Sequence, residues 1–227
     1  MHKRLALVAC ALMAMAACGS RPEPQQQRLA PPPIQQPAKT AARPRIVALG
    51  DSLTAGLGLP ASEAYPALLQ QMVDAEGLNY EVVNAGVSGD TSAGGLSRLD
   101  WALDGDVRVL IVALGGNDAL RALPVEELRD NLSAIIERAK SKQITVVLAG
   151  MEAPRNFGRD YVVRFHQVYP ELAHKYNVAF VPFLLQNVAG IDRLNQRDGI
   201  HPTPEGARIV AGNIWSVLKP IVSTARS

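Results

Sequence analysis

The sequence predicts an α/β domain built on a parallel sheet. Beyond Pro44, short apolar runs alternate with amphipathic stretches, the pattern of strands joined by helices. Several runs are apolar throughout, as strands covered on both faces are. The residues able to do chemistry follow the runs, at the carboxyl edge where such a sheet binds its ligands. A length of 227 residues suits one substantial core rather than two full domains.

Taken in order, Ile46-Val47-Ala48-Leu49 supports a strand over 45–49, and Val82-Val83 one over 81–84. Val109-Leu110-Ile111-Val112 supports a third over 107–114, Val146-Val147-Leu148 a fourth over 145–149, and Phe180-Val181 a fifth over 179–183. Amphipathic spacing places helices over 64–76, 92–103, 125–142 and 161–176, with a last one over 204–218. No internal repeat is present.

Ahead of this domain, His2, Lys3 and Arg4 precede an apolar stretch over 5–17 that ends in small residues, the form of a bacterial export signal. It stops short of the ~20 apolar residues that a membrane-crossing helix needs. Met15-Ala16-Ala17-Cys18 resembles a lipobox, which makes Cys18 the expected lipidation site; ordinary cleavage beside the same small residues is the alternative. Gly19 then points to the outer membrane of a Gram-negative envelope. Residues 19–44 are rich in Pro and Gln and read either as an extended tether or as a plain disordered leader. The expected organisation is thus signal 1–18, tether 19–44 and domain 45–227, in an exported, periplasmic protein.

Cys10 and Cys18 are the only cysteines, which excludes an internal disulfide or a cysteine metal site in the domain. A formal charge of +2 leaves no electrostatic footprint for nucleic acid.

Ser52 follows a strand and a glycine, where a tight strand-to-helix turn exposes a hydroxyl; the competing role is a helix N-cap. It lacks the G-x-S-x-G elbow. In Asp198-Gly199-Ile200-His201 a carboxylate and an imidazole three residues apart can meet within one turn of chain. Asp198 would then hold Nδ1 of His201 and leave Nε2 to face Ser52. Alone, either motif is as readily structural.

Together, Gly50-Asp51-Ser52-Leu53, Gly89, Asn117 within Gly115-Gly116-Asn117-Asp118, and Asp198-x-x-His201 resemble the four blocks of the GDSL or SGNH hydrolases, in order, across about 45–221. The resemblance implies a flavodoxin-like, three-layer α/β/α fold with a five-stranded parallel sheet. It also implies Ser52 as nucleophile, His201 as base and then acid, and Asp198 as the orienting carboxylate. The implied oxyanion hole combines the Ser52 and Gly89 N–H groups with the Asn117 amide. Glycine allows close backbone approach, and an amide donates without titrating.

Within the family the sequence is similar to the bacterial thioesterase, lysophospholipase and arylesterase group through residues 150–158 and 181–185. That likeness makes Met151, Pro154 and Phe157 the expected substrate-binding residues, while Glu152 puts a charge where the group has an uncharged or basic residue. The implied substrate is a short to medium acyl ester or thioester, with no cofactor. Carbohydrate O-acetyl esters are a second possibility, and a non-catalytic lipid- or glycan-binding lipoprotein a third. Asp51, Asp90 and Asp118 read as turn and cap carboxylates, with no His cluster to make them a metal site. His166 and His174 read as helix-surface residues, and Trp101 and Trp215 as core or groove aromatics. No motif fixes the oligomeric state.

Overall fold

Five parallel strands form one sheet: β1 (Arg45–Gly50), β2 (Glu81–Gly86), β3 (Val107–Ala113), β4 (Thr145–Ala149) and β5 (Ala179–Val181), in the order β2-β1-β3-β4-β5. The chain was analysed as a computed structural model that describes residues 43–224. The signal, Cys18 and nearly all of the tether lie outside the described residues. Ile46, Val47, Ala48 and Leu49 of β1 and Val109 to Ala113 of β3 are buried, so the central strands read as apolar runs because both faces are covered. The register of β1 with β3 shifts once, between Arg45 and Ile46, and then runs evenly to the carboxyl edge, where Gly50 pairs with Gly86 and with Ala113.

The helices are α1 (Ser52–Ala55), α2 (Tyr65–Ala75), α3 (Ser92–Ser97), α4 (Leu99–Ala102), α5 (Gly116–Leu120), α6 (Val125–Ser141), α7 (Arg159–Tyr176) and α8 (Pro204–Thr224). Helix α2 packs on α8, and α6 packs on α3 and α7. With the sheet between these two groups, the domain has the expected three layers. The order reverses direction between β1 and β3, the switch point at which such sheets open a crevice.

Several elements differ from expectation. The single helix over 92–103 is two, because Arg98 leaves helical geometry at φ −107°, ψ 10°. Strand β5 ends at Val181, since Pro182 has no N–H to continue a ladder. The short helices α1 and α5 begin at or just before the chemical motifs, where the sequence offered no periodicity long enough to read.

Candidate active site

Ser52 is the first residue of α1, and Asp51 is its N-cap, with Asp51 Oδ1 accepting the Leu53 N–H at 3.0 Å. The turn is tight because its glycines leave no room for more. A Cβ on Gly50 would lie 1.9 Å from Thr54 Oγ1, and one on Gly86 would lie 2.2 Å from the Ala55 nitrogen. As the first helical residue, Ser52 has an N–H without an intrahelical acceptor.

His201 comes from a loop far along the chain, just ahead of α8. His201 Nε2 lies 2.8 Å from Ser52 Oγ, and His201 Nδ1 lies 2.6 Å from Asp198 Oδ2. The other oxygen, Asp198 Oδ1, accepts the N–H groups of Ile200 at 2.9 Å and His201 at 3.0 Å. Those two backbone bonds, followed by the bond to the imidazole, hold the Asp198 carboxyl down at about 2. The loop itself is a small hairpin, in which the Gln196 N–H donates to the His201 carbonyl at 2.7 Å. Gln196 Nε2 donates to the Leu57 carbonyl at 2.7 Å and the Pro202 carbonyl at 3.0 Å, tying the histidine loop to the chain that follows Ser52. Sequence reasoning missed Gln196; its close approach to Gly58, where a Cβ would meet Gln196 Oε1 at 2.2 Å, is visible only in three dimensions.

On the opposite side of Ser52, the Asp90 N–H donates to the Val87 carbonyl at 3.1 Å and Gly89 adopts φ +87°. This is a β-turn whose third residue favours glycine. Asn117 Nδ2 donates to the Asp90 carbonyl at 2.9 Å and approaches Asp51 Oδ2 at 3.4 Å. Burial pushes the Asp51 carboxyl up to about 6, opposed by the Leu53 N–H and then by His201.

Asp118 is no cap of its own helix. Its oxygens accept the Ser92 N–H at 2.8 Å and the Ser92 hydroxyl at 2.5 Å, and Asn131 Nδ2 donates to that hydroxyl at 3.0 Å. Asp90 pairs with Arg98 at 2.6 Å. Among the described residues no group of three or more His, Cys, Asp or Glu side chains is arranged to hold a metal ion.

A cavity of about 330 Å³ opens beside Ser52 and His201, walled mainly by Leu120, Met151, Pro154, Phe183, Leu185 and Ile200, with Glu152 at its lining. Met151 and Pro154 line this cavity. Phe157 does not: it is absent from the cavity wall and starts an aromatic row, 5.9 Å from Tyr161, which continues to Phe165 and Tyr169. Phe157 ends the short turn Arg155–Phe157 ahead of α7, and Tyr161, Phe165 and Tyr169 follow at four-residue spacing along α7 itself. Gly89 also lies off the cavity wall, on the turn behind Asn117. Leu120 and Ile200 are wall residues that sequence reasoning passed over. Trp101 is 69 % exposed, neither core nor groove, whereas Trp215 packs against the core. His166 sits on the surface of α7, 2.6 Å from Glu152 Oε1, and His174 is exposed near that helix's end.

Residues 48–209 match the GDSL-like Lipase/Acylhydrolase family. Esterase TesA of Pseudomonas aeruginosa is 41% identical over 183 residues, which cover 80% of this chain and 91% of that protein. Thioesterase 1/protease 1/lysophospholipase L1 of Escherichia coli (strain K12) is 36% identical over 186 residues, 82% of this chain and 88% of that one. Among solved structures, a crystal structure of TesA superposes with a TM-score of 0.75 at 40% identity, over 78% of this chain and 98% of that one.

Proposed function

The chain belongs to the GDSL-like lipase/acylhydrolase family and is a carboxylic ester hydrolase, and from that premise we propose an esterase and thioesterase that works through an acyl-enzyme on Ser52. The observation that carries the assignment of Ser52 is the continuous chain of bonds from its hydroxyl through His201 to Asp198, set beside an apolar cavity.

Ser52 Oγ adds to the acyl carbonyl as His201 Nε2 takes its proton. Asp198 keeps the imidazole in the tautomer that accepts at Nε2 and stabilises the imidazolium. The imidazolium then protonates the departing alcohol or thiol, leaving the acyl group on Ser52. Water deprotonated by the same nitrogen releases the acid and restores the serine.

The N–H groups of Ser52 and Gly89 and the amide of Asn117 would receive the charge that grows on the carbonyl oxygen. For Asn117, the 3.4 Å approach to Asp51 is the weaker of its two contacts and the one an oxyanion would displace. The apolar wall supports short to medium acyl chains over acetylated sugars.

Labelling with a fluorophosphonate tests the mechanism directly. Wild type is expected to be modified at Ser52 and to lose hydrolysis of p-nitrophenyl butyrate. Ser52→Ala is expected to stay folded, unlabelled and inactive; a variant keeping more than about a tenth of kcat would overturn the assignment.

The export signal, the Pro/Gln-rich stretch and Cys18 support a domain held in the periplasm by a lipid anchor in the outer membrane. Cys18→Ser is then expected to turn a detergent-requiring protein into a soluble one with unchanged catalysis.

A further inference from the structure

Arg98 is the least expected residue of the site. In sequence it is one more cation in an amphipathic stretch, yet its side chain is only 17% exposed and its three nitrogens serve three different segments. Nε donates to Asp90 Oδ2 at 2.6 Å, Nη1 to the Ala85 carbonyl in β2 at 2.7 Å, and Nη2 to the Gly50 carbonyl at the end of β1 at 2.9 Å. Gly50 lies two residues before Ser52, and Asp90 follows Gly89 directly. The Asp90 carbonyl in turn accepts the Asn117 amide at 2.9 Å. One guanidinium thus connects the three places from which the oxyanion donors project.

The surroundings keep this frame in a single arrangement. A Cβ on Gly94 would lie 2.7 Å from Asp90 Oδ1, so the first turn of α3 closes over that carboxylate. The Val87 N–H shares the Gly50 carbonyl at 3.0 Å. On the outer side Arg121 Nη2 grips the Gly89 carbonyl at 2.8 Å, which leaves the peptide little freedom to turn. The break between α3 and α4 falls at Arg98 itself, where the chain gives up helical geometry while the side chain reaches these acceptors.

We propose that Arg98, with Asp90 as its partner, is the positioning residue of the oxyanion hole, fixing the Ser52 turn, the Gly89 turn and the Asn117 amide relative to one another. This rests on the assignment of those three groups as oxyanion donors. A donor displaced by about 1 Å loses most of its preference for the transition state. Lysine keeps the charge but, as a single point on a flexible stem, cannot serve three diverging acceptors.

The test uses Arg98→Lys and Asp90→Asn in the full-length chain, with melting temperature, kcat and KM read on one preparation. For Arg98→Lys, kcat is expected to fall about 10–100-fold with KM changed less than about threefold, and for Asp90→Asn at least about fivefold. Affinity for an aryl trifluoromethyl ketone, which forms a tetrahedral oxyanion on the serine, is expected to fall by the same factor as kcat/KM. In an Asn117→Ala background the Arg98→Lys factor is expected to shrink about threefold or more, because part of what Arg98 positions is already gone.

A lower melting temperature with unchanged kcat and unchanged ketone affinity would overturn the proposal. So would factors for Arg98→Lys and Asn117→Ala that simply multiply. Should Arg98→Lys fail to fold, Asp90→Asn carries the same readouts. Ser52→Ala is measured alongside: if it stays active, the nucleophile assignment fails; if it is inactive while both frame variants keep full kcat, only the role of Arg98 falls.

Discussion

On the His201 side of Ser52 the bonds that hold the carboxylate Asp198 are local and half-exposed, whereas on the Asn117 side those of Asp118 are buried and join distant parts of the chain. Asp198 is 45% exposed and is held by backbone N–H groups two and three residues away. Asp51 and Asp118 are 2% exposed, and Asp118 takes its partners from Ser92, 26 residues away. The difference teaches where catalysis and stability separate. A locally built, solvated carboxylate can be lost without opening the core. A buried carboxylate that satisfies another segment's donors cannot.

The sharpest test of that contrast is Asp198→Ala. Loss of the orienting carboxylate is expected to lower kcat about 10³–10⁴-fold while the melting temperature shifts by no more than about 2 °C. A large drop in melting temperature would erase the distinction between the two sides.

Asn117→Ala comes next, at about 10²–10³-fold in kcat, roughly 2.7–4 kcal/mol, with KM changed far less. If Asn117 were only a turn residue, kcat in the folded fraction would be near normal.

Asp118→Ala reverses the pattern. Stranding the Ser92 N–H and hydroxyl in the interior is expected to cost about 1–3 kcal/mol of stability, read by urea unfolding, with kcat of the folded enzyme reduced less than about tenfold.

The finest effect is the pH dependence contributed by Asp51. Its folded value of about 6 lies above its ordinary 3.8, so the folded state holds the proton more tightly. The resulting stabilisation is complete below about pH 3.8 and is lost as pH rises through 6, a swing on the order of 3 kcal/mol. The stability of wild type relative to Asp51→Asn, which cannot ionise there, should therefore fall as pH rises over that window. Asp198, depressed to about 2, contributes in the opposite sense. Its share is present above pH 3.8 and fades only as pH falls towards 2, so it adds no change between pH 4 and 8.

The same contrast governs what can be read without coordinates. The central strands β1, β3 and β4 were legible because burial on both faces leaves uninterrupted apolar runs, and the part-exposed edge strands β2 and β5 from shorter apolar stretches. Ser52 and Asn117 were legible in short motifs at the ends of β1 and β3, and Asp198 and His201 in one short motif of the loop before α8. Arg98, Gln196 and the Ser92–Asp118–Asn131 bonds were not, since their partners lie in other segments and nothing local distinguishes them from solvated side chains. Phe157 lies in the turn ahead of α7 and meets Tyr161 rather than the cavity wall, a placement that its nearness in sequence to Met151 and Pro154 does not reveal.

Ser52 and His201 are 149 residues apart, and the histidine loop runs straight into α8, which packs back on α2 near the start of the domain. Closing a contact over that span is slow compared with forming the helices between its ends. A chain still emerging from a ribosome holds Ser52 long before it holds His201. Hydrolytic activity should therefore return late in refolding, after helical structure, and its recovery time measures when the carboxyl-terminal segment docks.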